Sequence, residues 1–371
     1  MKRAPIRDIM VLFLVTRLLL LLVTYFGYIL LTAEQYSSAP VDAAFFTSWN
    51  HGIVLRYLHI AQAGYQSAAD TALFPLFPLL IAALAHLFGN GDWSYLFAGM
   101  LISNLALLGA LFVLYQLAVE SIGEAVAQRT LLYLCIFPTA FVFFTASHEA
   151  LFLLLTTGVL LALRRQHWWL AGLLGCGAAL TDITGLLLIV PYLYELWLRR
   201  ENAKLWLALP PVVLLPIGTV LYSFYCWQIV GNPFAFLASR PLSWPWQSLW
   251  QAFVELFWRQ PFGSFYQVRV LISLSITLAF LLLTLSGWSR LRISYSLWNI
   301  LLLCSILLFS GSDQHDPLAA SQSLVLVMFP AFITLAQIGE RRSWLHQVVQ
   351  IVGVMLLATL SLLFIMNRWM V

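Results

Sequence analysis

The chain has 371 residues, 62% of them hydrophobic and 9% charged, with a formal net charge of +4 and a mean hydropathy of +0.89. A soluble domain carries about a quarter charged residues, and a signal peptide ahead of a soluble body would leave one apolar run where this chain has many. Both are excluded, and the sequence reads as an all-α, polytopic integral membrane protein, organised as a single transmembrane domain over 1–371.

A helix needs about 20 apolar residues to cross a bilayer. On that template membrane segments are expected near 8–32, 95–118, 131–146, 148–164, 168–181, 183–198, 205–228, 268–287, 294–311, 321–338 and 345–366, which makes eleven. The stretch FPLFPLLIAALAHLFG (74–89) is too short and proline-rich to span, and reads as re-entrant or interfacial. Between the first two spans lies the longest polar connection, 33–74. Within it, WNHGIVLRYLHIAQAGY (49–65) sets Leu55, Leu58 and the Ala61-Gln62 pair at helical spacing, as for an amphipathic helix on the membrane surface.

Basic residues set the orientation, because they concentrate in cytoplasmic loops. With the N-terminus inside, the cytoplasmic side holds thirteen: Lys2, Arg3, Arg7, Arg129, Arg164, Arg165, Arg199, Arg200, Lys204, Arg290, Arg292, Arg341 and Arg342. The outer side holds five: Arg56, Arg240, Arg259, Arg269 and Arg368. Arg17 stands inside the first span, where it snorkels or pairs within the bundle. This arrangement puts most acid-, histidine- and tryptophan-bearing loops on the outer face, so a site is expected to face outward. The basic residues fall in pairs between apolar runs, so nothing in their placement points to nucleic acid.

Several polar positions in these loops carry two readings. In FFTASHEALFLLL, His148 and Glu149 sit at a helix mouth; Glu149 is either a first-turn acid favoured by the helix dipole or part of a site. In AALTDITGLLLIVP, Thr181, Asp182 and Gly185 suit a turn. In WQIVGNPFAFLASRPLSWPWQSLW, Trp244, Trp246 and Trp250 are either an interfacial belt or an aromatic platform for a sugar face. GSDQHDP (311–317) sets His315 between Asp313 and Asp316, a solvated loop or a weak metal or catalytic cluster. Cys135, Cys176, Cys226 and Cys304 stand singly in apolar segments, with no spacing for a metal or a disulfide framework.

The ordered series YLHIAQAGY, ALFPLFPLLIAAL, FPTAFVFFTASHEALFLLL, RRQHWWLAGLLGCGAALTDITGLLLIVPYLYEL, GNPFAFL and LVLVMFPAF resembles the integral-membrane mannosyltransferases that add the second mannose of glycosylphosphatidylinositol anchors, and their shorter bacterial relatives. The resemblance runs from about residue 8 to 340. It implies a GT-C fold in a bacterial cytoplasmic membrane. It also implies a polyprenyl-phosphate sugar donor, a glycan or lipid acceptor, and transfer with inversion, with no nucleotide sugar and no cofactor. One carboxylate would serve as general base, and cations would offset charge on the departing lipid phosphate.

Against that family's pattern, four polar positions differ. The Trp-Asp of the first outer loop falls on Gly52 and Ile53, an arginine on Asp182, another arginine near Ser323, and an acid on Asn232. Isoleucine accepts no proton, so the base would be Asp42 or Asp70 in the same loop, or Glu149. Arg56, Tyr57, Tyr65, His148, Asp182, Asn232 and Trp244 are the expected substrate-binding positions. The alternatives are an inactive relative that binds a lipid-linked glycan or a membrane partner, and a transporter. The paired inverted repeats expected of a transporter are not evident.

Overall fold

The computed structural model describes residues 6–33, 47–89, 91–200, 208–238, 244–309 and 316–369. Asp42, Asp313 and His315 lie outside the described residues. Among those described, every regular element is a helix, as a chain that must satisfy its backbone within lipid requires. In chain order the principal helices are α1 (Ile6–Ala33), α2 (Ile53–Ala63), α3 (Leu76–Ala85), α4 (Asp92–Ile122), α5 (Glu124–Cys135), α6 (Glu149–Arg164) and α7 (Trp168–Thr181). There follow α8 (Ile189–Leu198), α9 (Leu214–Val230), α10 (Pro245–Val254), α11 (Phe265–Gly287), α12 (Ile293–Leu308), α13 (Phe329–Arg341) and α14 (Ser343–Ile365).

Among the described residues, five helical stretches are long and apolar enough to cross a membrane: Ile6–Ile29, Asp92–Ile122, Pro210–Val230, Phe265–Gly287 and Ser343–Ile365. A sixth would be the pair Ser321–Val327 and Phe329–Arg341, which is bent by 75°. The segments expected at 168–181, 183–198 and 294–311 are shorter apolar helices, and α6 has 16 residues. The expected span at 131–146 is broken: α5 stops at Cys135, and a 3-10 turn at Ala140–Phe143 follows. Pro138 explains the break, since it has no N–H to donate and its ring clashes with the preceding turn. Pro330, at the second residue of α13, tolerates the missing donor at a helix start and so favours a new helix over a continued one.

The chain divides into two compact units, Met1–Gly64 with Phe77–Leu154 and Ala336–Val371, and Tyr65–Leu76 with Leu155–Leu335. In the first, α1 packs against α14, where a Cβ on Gly27 would stand 3.0 Å from the Ile365 side chain. Trp49, fully buried, lies among Phe141, Phe144 and Phe364 at centroid distances of 5.2–6.2 Å. Its indole N–H donates to Thr24 Oγ1 at 3.0 Å, which lets a polar ring edge sit in an apolar plug.

In the second unit α7 and α9 approach through small residues, as helices in lipid do where shape rather than hydrophobicity drives packing. A Cβ on Gly175 would fall 2.6 Å from Leu215, and one on Gly218 2.9 Å from the Cys176 carbonyl. Glu195, buried, is held by Arg292 at 3.0 and 3.1 Å, Ser294 at 2.7 Å and Arg199 at 3.4 Å, so its charge is paired and hydrogen-bonded as burial demands.

Candidate functional site

In the first unit the polar side chains converge on the start of α6. The His148 carbonyl accepts the Phe152 N–H at 2.9 Å, so His148 immediately precedes the helix and Glu149 opens it. An acid there faces the free N–H groups and the positive end of the helix dipole. Glu149 is 3% exposed and His148 8%. Ser147 Oγ donates to Glu149 Oε2, and His148 Nδ1 stands 3.6 Å from that same oxygen. The same nitrogen, His148 Nδ1, meets the Tyr57 hydroxyl at 2.9 Å. Tyr57 comes from α2 and packs edge-on to Phe77.

Helix α2 buries one face and exposes the other, as an amphipathic helix does. The buried residues are Val54, Tyr57, Leu58 and Ile60; Leu55 is 50% exposed, and Gln62 and Arg56 are exposed. The helix turns Tyr57 inward because His148 gives its hydroxyl a partner, removing the penalty of burying it bare, while an exposed leucine in a membrane protein can face lipid.

Gly52, just ahead of α2, has φ +56 and ψ −121, a region that side chains rarely adopt. It is a backbone pivot at the head of the helix. The buried tryptophan of this loop is Trp49, three residues earlier, and the polar residue after it is Asn50, whose Oδ1 is buried without a hydrogen-bond partner. Ile53 is half-buried at the head of α2. The sequence reading did not single out Trp49 and Asn50, although the Trp-Asn dipeptide was in view. Ser103 and Ser147 were also passed over, and small hydroxyls inside apolar runs carry no pattern that would have found them.

The remaining expected positions fall in the second unit, and most serve local turns. Asp70 Oδ2 accepts the backbone N–H groups of Gln66 and Ser67 at 3.2 and 2.9 Å and the Ser67 hydroxyl at 2.9 Å. Asp182, buried, takes the Thr184 N–H at 2.8 Å and its hydroxyl at 2.7 Å, capping the 3-10 turn Ile183–Leu188. Asn232 Oδ1 accepts the Phe234 N–H at 2.9 Å, and Trp244 is 69% exposed at the start of α10. Tyr65 donates to the Leu73 carbonyl at 2.7 Å among Tyr222 and Tyr225; burial raises its hydroxyl above the ordinary tyrosine value. Asp316, buried, accepts from Ser273 at 2.7 Å and lies 3.7 Å from Arg269. Among the described residues no three His, Cys, Asp or Glu side chains gather as for a metal ion.

No protein-family model matches the sequence, and no curated protein matches it. The crystal structure of ArnT from Cupriavidus metallidurans bound to undecaprenyl phosphate is similar in fold, with a TM-score of 0.51 and 15% identity over 90% of this chain. The apo ArnT structure from the same organism gives a TM-score of 0.48 at 18% identity, over 78% of this chain and 56% of that one. The chain spans 62% of the length of the undecaprenyl-phosphate-bound structure. The likeness is one of fold: this is an all-α, multi-pass integral membrane protein with a helical architecture like that of ArnT.

Proposed function

We propose that the chain is a membrane glycosyltransferase that moves a sugar, mannose by the sequence resemblance, from a polyprenyl-phosphate carrier to a glycan or lipid acceptor on the outer face, with its N-terminus cytoplasmic. The observation that carries this reading is the buried line Tyr57–His148–Glu149, set in a fold similar to that of a protein crystallised with undecaprenyl phosphate. A carboxylate in a dry site whose partners are a hydroxyl and an imidazole is suited to take a proton.

In the proposed step the acceptor hydroxyl gives its proton to Glu149 while its oxygen attacks the anomeric carbon. The bond from that carbon to the phosphate oxygen breaks, and the polyprenyl phosphate leaves with the electron pair, inverting the centre. The Tyr57 hydroxyl, bonded to His148 Nδ1, holds the imidazole beside Glu149. Arg56, on the exposed face of α2 next to Tyr57, supplies positive charge for the departing phosphate. The test is transfer of labelled mannose from a mannosyl phosphopolyprenol in membranes containing the protein. Transfer that Glu149→Gln abolishes supports the reading, and transfer indifferent to that change removes Glu149 from it.

A second reading is favoured by Ile53, which heads α2 where the resembled family has its acid, and by the local turns that occupy Asp70 and Asp182. In it the chain binds a lipid-linked glycan without transferring it. Retention of undecaprenyl phosphate by the purified protein, with no turnover of any donor, would favour this alternative.

A further inference from the structure

Arg17 is the twelfth residue of the 28-residue helix α1, about 17 Å along its axis, and is 7% exposed. Among the described residues no carboxylate pairs with it. Its Nη1 donates to Asn104 Oδ1 at 3.2 Å, its guanidinium lies 5.7 and 5.9 Å from the Phe13 and Phe144 ring centroids, and Nε and Nη2 are buried without hydrogen-bond partners. A charged residue at the middle of a span is unfavourable by roughly 2.5–3.5 kcal/mol or more, and marks a functional role by default. Leucine would fill the same helix without that penalty, so what the arginine contributes has to be found in what it touches.

It touches one amide, and that amide leads to the site. Arginine has donors only, so Asn104 must turn its oxygen toward Arg17 and its NH₂ the other way. That NH₂ donates to the Met100 carbonyl at 2.7 Å and to the Phe144 carbonyl at 3.2 Å. The neighbouring residue, Ser103, donates to the Ser147 carbonyl at 2.7 Å and accepts the Ser147 N–H at 3.2 Å. Two consecutive α4 residues thus grip both ends of 144–147. This piece lies between the 3-10 turn Ala140–Phe143 and α6. Turn bonds within 141–147 take the N–H groups of Phe144, Thr145 and Ser147, while the Phe144 and Ser147 carbonyls find their partners on α4, as buried backbone groups outside a helix must. His148 and Glu149 follow it directly.

We propose that Arg17 is a positioning residue: by fixing the orientation of the Asn104 amide it holds the 144–147 segment, and with it His148 and Glu149, in register with Tyr57. The inference rests on reading Tyr57–His148–Glu149 as the reactive group. Arg17 touches no reacting atom; it acts through the neutral amide of Asn104, with its guanidinium beside the Phe144 ring.

The test uses the full chain in lipid nanodiscs as wild type, Arg17→Met, Asn104→Leu and the double variant. Hydrogen exchange is followed by mass spectrometry on peptides covering 141–152. Replacing a mid-span charge by an apolar side chain eases insertion, so loss of position is separable from failure to insert. Each single variant should raise exchange across 144–148 roughly tenfold, leaving the peptides of α7 and α9 unchanged, and the double variant should go no further than either single one. In the mannosyl phosphopolyprenol assay kcat should fall with KM little changed. Additive single effects, exchange raised uniformly through the protein, or no change at 144–148 would each overturn the proposal. A wild-type chain without transfer would sink the proposed reaction, and the exchange arm would still decide whether Arg17 positions the segment.

Discussion

The Tyr57 hydroxyl and His148 Nδ1 stand 2.9 Å apart across 91 positions of sequence. That single bond ties an amphipathic helix to the mouth of a buried one. Tyrosine at the core-facing position of α2 has little reason to be there if packing were all that mattered, because phenylalanine would fill the volume without a hydroxyl to satisfy.

Glu149→Gln keeps shape and hydrogen-bonding capacity while removing basicity, and should lower transfer about 10²–10⁴-fold. Tyr57→Phe, which removes one partner of His148, should lower it only about tenfold, the value of a single net hydrogen bond. Initial rates with mannosyl phosphopolyprenol in membranes measure both, and equal losses in the two variants would contradict the division of roles.

Introducing the resembled family's tryptophan ahead of α2 by Gly52→Trp should destabilise rather than activate. The pocket is not the obstacle, since nothing lies within 4 Å of a Cβ at Gly52; the backbone at φ +56 is. Holding a side chain in such a region costs about 1–3 kcal/mol. Melting temperatures in detergent should fall for Gly52→Trp and stay near wild type for Ile53→Asp, whose helix-start position welcomes an acid.

Asp182→Arg should not rescue a donor site. Asp182 is 3% exposed and caps the turn through Thr184, so Asp182→Ala should cost about 1 kcal/mol, as loss of a cap does. An arginine there would lose the cap and bury a new charge as well. Thermal unfolding that ranks wild type above Ala above Arg bears this out; an Arg variant as stable as wild type would show that the cap contributes nothing.

The proposed orientation rests on the thirteen-to-five split of basic residues and is checked by cysteine labelling in a background lacking the four native cysteines. Ser48 is unsuitable because it is 7% exposed; Ala63 and Ser343 are both exposed. Ala63→Cys should react with an impermeant maleimide from the outer side and Ser343→Cys only after the membrane is opened. Reaction of both from one side would refute a cytoplasmic N-terminus.

The membrane class and the helical nature of the chain were legible from composition and run length alone. So was the distinct status of the 53–63 helix; what the pattern did not show is that Tyr57 turns inward with Leu58, because His148 gives its hydroxyl a partner. The role of Glu149 as a first-turn acid was also visible in FFTASHEALFLLL, and the turn around Asp182 in its Thr, Asp and Gly. What stayed hidden was the rest of the site's frame: Trp49 with Thr24, and Arg17 with Asn104.

Sequence by itself determined what the solvent decides. Transfer from water to lipid depends on the summed apolar surface of each segment, a quantity that local composition contains in full. Tertiary structure alone decided which spans break, which way α2 faces, and which polar atoms meet. Hydrogen bonds act only within about 3 Å, and whether residues 57 and 148, or 17 and 104, come that close depends on the path of every helix between them. Trp49 makes the same point from the opposite direction: its identity was plain in the sequence, but its place in the core depends on Phe141, Phe144 and Phe364 arriving from two distant parts of the chain.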